Sequence, residues 1–132
     1  MGTTYNIKLN FSYTSHQRWV IEKGIDSILI NLNQQMSTWI KDSEISLFNQ
    51  SRSTDPYKIS NEFFYVLQQG KLLNKKTGGA FDYTIFPLAE LWGFGPGSKE
   101  YVEIPNISDL KKVLQHVGIN KVELDYPYIK KM

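Results

Sequence analysis

The 132-residue chain contains no cysteine. That removes disulfide staples, a thiolate nucleophile and every cysteine-based metal site, and it leaves the compartment undecided. Histidine is nearly as scarce. His16 and His116 stand far apart with no acidic neighbours at ligand spacing, so no histidine metal site is expected. Ser37 and Ser43 have no base at recognisable spacing, which leaves a serine hydrolase unsupported. No apolar run approaches the roughly 18 residues that span a bilayer. The residues after Met1 open on a strand pattern and not on the charged and apolar regions of a signal peptide, so a soluble chain is expected. Repeats, heptads and low-complexity tracts are missing, which argues against a solenoid or a disordered tail. Excess charge is small as well: 15 Lys and Arg against 13 Asp and Glu give +2, and the lysines fall in scattered pairs such as Lys75-Lys76 and Lys111-Lys112. Without a continuous basic face, nucleic acid is not an expected partner.

What is present suits one globular domain, residues 1–132, since 41% hydrophobic residues are enough for a single core at this length. Tyr5, Ile7, Leu9 and Phe11 alternate with polar residues, the period of a half-buried strand. From 17 to 39, Ile21, Ile25, Ile28, Leu32, Met36 and Trp39 recur at spacings of three and four and predict an amphipathic helix. On that pattern Trp39 closes the helix onto a core. Asp42 is the expected N-cap of a short helical turn over 43–49, with Glu44 favoured near its N-terminus.

After a polar loop over 50–56 and a short extended piece at 57–59, Ser60 should cap a second helix that turns Phe63, Val66, Leu67 and Leu73 inward and stops at Thr77-Gly78. A short strand over 81–85, a helical turn begun at Pro87, a third helix from Ser108 to Gly118 and a strand over 121–125 complete the reading. The residues after Asp125 begin a hairpin whose partner strand is not expected to be completed, leaving an edge unpaired. The order of elements predicts an α+β domain, a mostly antiparallel sheet with helices packed on one face.

The richest stretch in site chemistry runs from 78 to 96. Gly78-Gly79 reads as a helix stop, with close backbone approach to a ligand as the alternative. Trp92, Gly93, Phe94 and Gly95 then interleave rings and glycines in a segment too glycine-rich for a strand and too aromatic for an ordinary solvated loop. A loop of that kind usually packs its rings over something. Asp82 alone carries charge between Gly79 and Ile85. By itself it reads equally as a turn-capping residue and as a ligand contact.

Gly79-Ala80-Phe81-Asp82, followed by Thr84, Pro87-Leu88 and Leu91-Trp92-Gly93-Phe94-Gly95, resembles the central signature of the FAD:protein FMN transferases, the ApbE-like flavin transferases. Two further blocks match in order: Met1-Gly2-Thr3-Thr4-Tyr5, and Met36-Ser37-Thr38-Trp39 leading into 43–49. The resemblance covers essentially the whole chain and about the first half of a family member. It implies half of a duplicated α/β arrangement related to the tunnelling fold, with FAD as substrate. The implied reaction is a Mg2+-dependent transfer of FMN to a threonine hydroxyl of an acceptor protein carrying a Ser/Thr-Gly-Ala-Thr type motif, with release of AMP.

By the same resemblance, Met1, Trp39, Ala80, Phe81 and Asp82 are the expected FAD contacts. Trp39 becomes a stacking platform where the family more often has tyrosine, and Asp82 an acceptor for the adenosine portion. The family's Asp-Leu-Gly-Gly and His-x-x-Asp-Pro segments do not occur among these residues, so catalytic and metal-holding groups are expected beyond Met132. The chain alone is therefore expected to be inactive, and to self-associate or pair with the missing half. An extracytoplasmic, lipid-anchored setting is implied by the resemblance only. A non-catalytic flavin-binding or carrier module, and a fragment without affinity, remain the alternative readings.

Overall fold

A computed structural model describes residues 4–96 and 104–132. It divides the chain into two compact units, Met1–Leu47 and Phe48–Met132.

The first unit is built on α1, Ser15–Met36. The helix begins two residues before the expected start at 17 because Thr14 and Gln17 form a capping box. Thr14 Oγ1 accepts the Gln17 amide at 3.2 Å, and Gln17 Oε1 accepts the Thr14 amide at 2.9 Å. The helix ends at Met36, three residues short of Trp39. Its half-covered side carries Ile21, Ile25, Leu29, Leu32 and Met36, while Ile28 is 61% exposed. Leu29, not Ile28, therefore continues the stripe, and no residue of α1 is fully buried.

The strand expected over residues 5–11 is absent. The period-2 pattern is real, but no described segment offers these residues a ladder, and Tyr5, Ile7 and Phe11 are all exposed. Alternation selects which face of a strand is apolar and supplies no partner for its backbone. A second helix, α2, spans Glu44–Gln50. Its cap is Ser43 and not Asp42: Ser43 Oγ accepts the Ser46 amide at 3.2 Å.

The second unit holds β1 (Tyr57–Lys58), α3 (Asn61–Lys76), α4 (Phe86–Leu91), α5 (Ile107–Leu114), β2 (Val122–Asp125) and β3 (Tyr128–Lys131). The three strands form an antiparallel sheet in the order β1-β3-β2. The hairpin left open in the sequence reading is completed: β2 turns through Tyr126-Pro127 into β3, which becomes the central strand. The four residues after Pro127 suffice because β1 pairs on the far side, with Tyr57 opposite Ile129, and Ile59 extends the contact by donating to the Pro127 carbonyl at 2.9 Å.

The core of this unit is small. Phe48, Ile59, Phe63, Leu67 and Ile129 are its buried hydrophobics among the described residues. Lys131 closes its edge, with its ammonium 4.8 Å above the Phe48 ring and donating to the carbonyls of Asn49 and Ser51. Burial there lowers the Lys131 pKa.

Helix α3 turns Phe63, Leu67 and Gly70 inward, whereas Val66 and Leu73 are 47% and 42% exposed, against expectation. Gly70 lies on that inward face against Tyr83. A Cβ there would lie 2.6 Å from Cδ1 of Tyr83, so the ring of Tyr83 occupies the place of a side chain. Gly70→Ala gains about 1 kcal/mol in helix propensity but forces an overpacked contact costing about 1–3 kcal/mol. The expected net result is a lower urea midpoint with an unchanged m-value, and an unchanged or higher midpoint would show that Tyr83 yields without cost.

Helix α3 stops where expected. Gly78 and Gly79 take φ of +60° and +90°, and the Gly79 amide bonds back to the Asn74 carbonyl at 2.9 Å. Helix α5 is capped by Asn106, which accepts the Asp109 amide at 2.9 Å, and it ends at Leu114, four residues before Gly118. A short 3-10 turn, Ile119–Lys121, leads into β2. Helices with a small antiparallel sheet make this an α+β protein.

Candidate functional site

Met1 lies outside the described residues. Trp39 sits in the loop that joins α1 to α2. Three serines hold that loop: Ser43, completely buried, donates to the Ser37 carbonyl at 2.6 Å and lies 2.9 Å from the Ser46 hydroxyl, which also reaches the Ser37 carbonyl at 3.4 Å. The Ile40 amide returns to the Ser37 carbonyl at 3.3 Å. With backbone and hydroxyls spent on one another, the loop is tight and its indole points outward, 71% exposed. The reading of Trp39 as a core ring that closes the helix is therefore wrong. A large aromatic face held in water by a rigid loop is suited to stacking on a planar ligand. The serine latch escaped the sequence reading, although Ser43-x-x-Ser46 at a helix start carries the spacing of a cap.

In the second unit, 81–85 is not a strand but a turn that follows the end of α3. Thr77 organises its start: its carbonyl accepts the Ala80 amide at 3.2 Å, and its hydroxyl accepts the Phe81 amide at 3.1 Å. Asn74 donates to the Phe81 carbonyl at 2.6 Å. The amides of Ala80 and Phe81 and the carbonyl of Phe81 are thus already engaged by the protein. What the segment presents outward is the exposed Ala80 and part of the Phe81 ring, 39% exposed.

Asp82 does cap a turn. Its Oδ1 accepts the Thr84 amide at 2.7 Å and the Thr84 hydroxyl at 2.6 Å, and its Oδ2 accepts the Ile119 amide at 3.0 Å. An ionised carboxylate offers about four acceptor directions, so roughly one is unspent. Beside it, the phenol of Tyr83 has its pKa pushed up to about 12, first by burial and then by the Asp82 charge. The Tyr83 hydroxyl is buried without a hydrogen-bond partner among the described residues.

Helix α4 starts at Phe86, one residue before the expected start, so Pro87 falls at its second position within the first turn. The loop after it closes on the Phe94 amide, which donates to Ala89 at 2.8 Å, and leaves the Phe94 ring 78% exposed. That ring packs over nothing in the described residues, and it is not core. Among the described residues no three His, Asp or Glu side chains converge as a metal site, and no helix is long and apolar enough to cross a membrane.

The combination of helices, a small antiparallel sheet and an exposed aromatic loop is that of an α+β domain whose solved neighbours include flavin transferases. The structure of the flavin transferase ApbE from Vibrio cholerae superposes on 86% of this chain with a TM-score of 0.81 at 35% identity, and 36% of that chain is covered. The apo flavinyl transferase ApbE of Pseudomonas stutzeri matches with a TM-score of 0.82 at 27% identity, over 86% of this chain and 38% of that one.

The chain belongs to the ApbE family, whose model matches residues 1–132. Curated relatives named FAD:protein FMN transferase include those of Vibrio cholerae, 38% identical over 125 residues, and Haemophilus influenzae, 42% identical over 128 residues. Each alignment takes in 95% of this chain but only 37% and 36% of the respective relative, so the chain spans little more than a third of their length.

Proposed function

We propose that this chain is the flavin-binding part of a flavin transferase that moves FMN from FAD to a threonine hydroxyl in an acceptor protein. The observation that carries the reading is a family match along the whole chain. In the reaction, the threonine oxygen attacks the FMN-side phosphorus of the FAD diphosphate, the P–O bond to the AMP portion breaks, AMP leaves, and the hydroxyl proton passes to a base. Trp39 stacks on the isoalloxazine, Ala80 and Phe81 form an apolar wall, and Asp82 offers its remaining acceptor direction to the adenosine portion. Met1 belongs to the same set by resemblance alone.

Such a transfer uses Mg2+, for which the described residues bring together no group of His, Asp and Glu ligands. The 132 residues by themselves bind flavin without transferring it. The acceptor with a Ser/Thr-Gly-Ala-Thr type motif, and an extracytoplasmic, lipid-anchored setting, belong to the same proposal. Quenching of FAD fluorescence by the chain tests it, and absence of quenching at high micromolar chain concentration would overturn it.

Trp39→Ala is the sharper test. Loss of one aromatic stacking platform is worth about 1–3 kcal/mol, so the Kd for FAD should rise by roughly 5- to 150-fold. Because the ring is exposed, the melting temperature should hardly change. A falling melting temperature with unchanged affinity would give Trp39 a packing role instead.

A further inference from the structure

The turn that carries Asp82 is anchored from a distant part of the sequence. Thr84 uses its hydroxyl twice, donating to Asp82 Oδ1 at 2.6 Å and accepting the Gly118 amide at 2.7 Å. The next amide, Ile119, donates to Asp82 Oδ2 at 3.0 Å. Thr84 and Asp82 thus hold two successive amides at the mouth of the 3-10 turn, across sequence separations of 34 and 37 residues. Both groups are partly buried, where a hydrogen bond is stronger and an unpaired donor more costly than in water. Gly118 reaches this position with φ of +140°.

We infer that Thr84 is a positioning residue for flavin recognition: its hydroxyl fixes the rotamer of Asp82 and ties the 80–84 turn to Gly118 and Ile119. The inference rests on the proposed role of Ala80, Phe81 and Asp82 as flavin contacts. Without the hydroxyl, Asp82 keeps the Thr84 amide on Oδ1 and the Ile119 amide on Oδ2 but loses its third bond. The Gly118 N–H loses its acceptor. The acceptor direction that remains for a ligand is then set by two bonds instead of three.

The test compares Thr84→Val, which keeps the shape and removes the hydroxyl, with Thr84→Ser, which restores it. FAD affinity is read by fluorescence quenching, and amide hydrogen exchange at Gly118 and Ile119 is read by NMR on the same full chain. Thr84→Val should weaken FAD binding by about tenfold, the scale of one lost charge-assisted hydrogen bond, and accelerate exchange at Gly118. Thr84→Ser should return both to within about twofold of the wild type, given the same hydroxyl bonds. Fast exchange at Gly118 with unchanged FAD affinity would overturn the inference while leaving the flavin reading intact. Failure of Thr84→Ser to rescue would overturn it too. If the wild-type chain itself does not bind FAD, the proposed function fails first and the inference with it. Should Thr84→Val not fold, Thr84→Cys takes its place under the same criteria.

Discussion

Ile129→Ala should lower the melting temperature of the chain by on the order of 10 °C. Ile129 lies on the central strand, paired with Tyr57 on one side and Leu124 on the other, and is only 2% exposed. It is one of the few fully buried large side chains, packed in a core that Phe48, Ile59, Phe63 and Leu67 complete. Truncating a buried isoleucine to alanine costs about 2–5 kcal/mol, because the apolar transfer energy is lost and the cavity collapses only in part. Against a whole-domain stability of roughly 5–15 kcal/mol, that is a large fraction. A core this small has no second layer to absorb it. Thermal melts followed by circular dichroism check the prediction. A shift of less than about 2 °C would mean that the sheet's stability is held elsewhere.

FMN transfer by the 132 residues alone should be undetectable. Transfer of a phosphoryl group between oxygens needs the diphosphate, the attacking hydroxyl and compensating positive charge in one fixed geometry. Positioning and electrostatic stabilisation each contribute many orders of magnitude to such a rate. The described residues bring no cluster of carboxylates or histidines together, and the chain corresponds to 36–37% of the length of relatives named for the transferase activity. Incubation with FAD, Mg2+ and an acceptor bearing the Ser/Thr-Gly-Ala-Thr type motif, followed by intact-mass measurement, should show no added FMN. The complete Vibrio cholerae relative serves as the positive control. Efficient modification by the chain alone would sink the proposal that it supplies binding without chemistry. Quenching of FAD without transfer would favour it.

Local chemistry was enough to determine several features from the sequence. The stop at Thr77-Gly78 follows from two glycines in the left-handed region, the start of α4 to within one residue from Pro87, and strand β2 from its alternating residues. The ordered blocks around Met36, Ser43 and Gly79 carried the resemblance to the ApbE family, whose model matches residues 1–132.

Tertiary structure decided whatever depended on a partner distant in sequence. The same alternation that marks β2 marks residues 5–11, yet only β2 finds a ladder among the described residues, since β3 lies beside it. Ile28 and Leu29 are equally apolar, and only packing chose Leu29 for the covered face. Trp39 fits a helical stripe by spacing, but the serine latch ends the helix at Met36 and turns the indole outward. By sequence Asp82 could be a cap or a ligand contact, and only the fold shows Thr84 and Ile119 claiming three of its acceptor directions. Periodicity reports which atoms prefer to leave water, whereas hydrogen-bond partners and covered faces are set by segments tens of residues away.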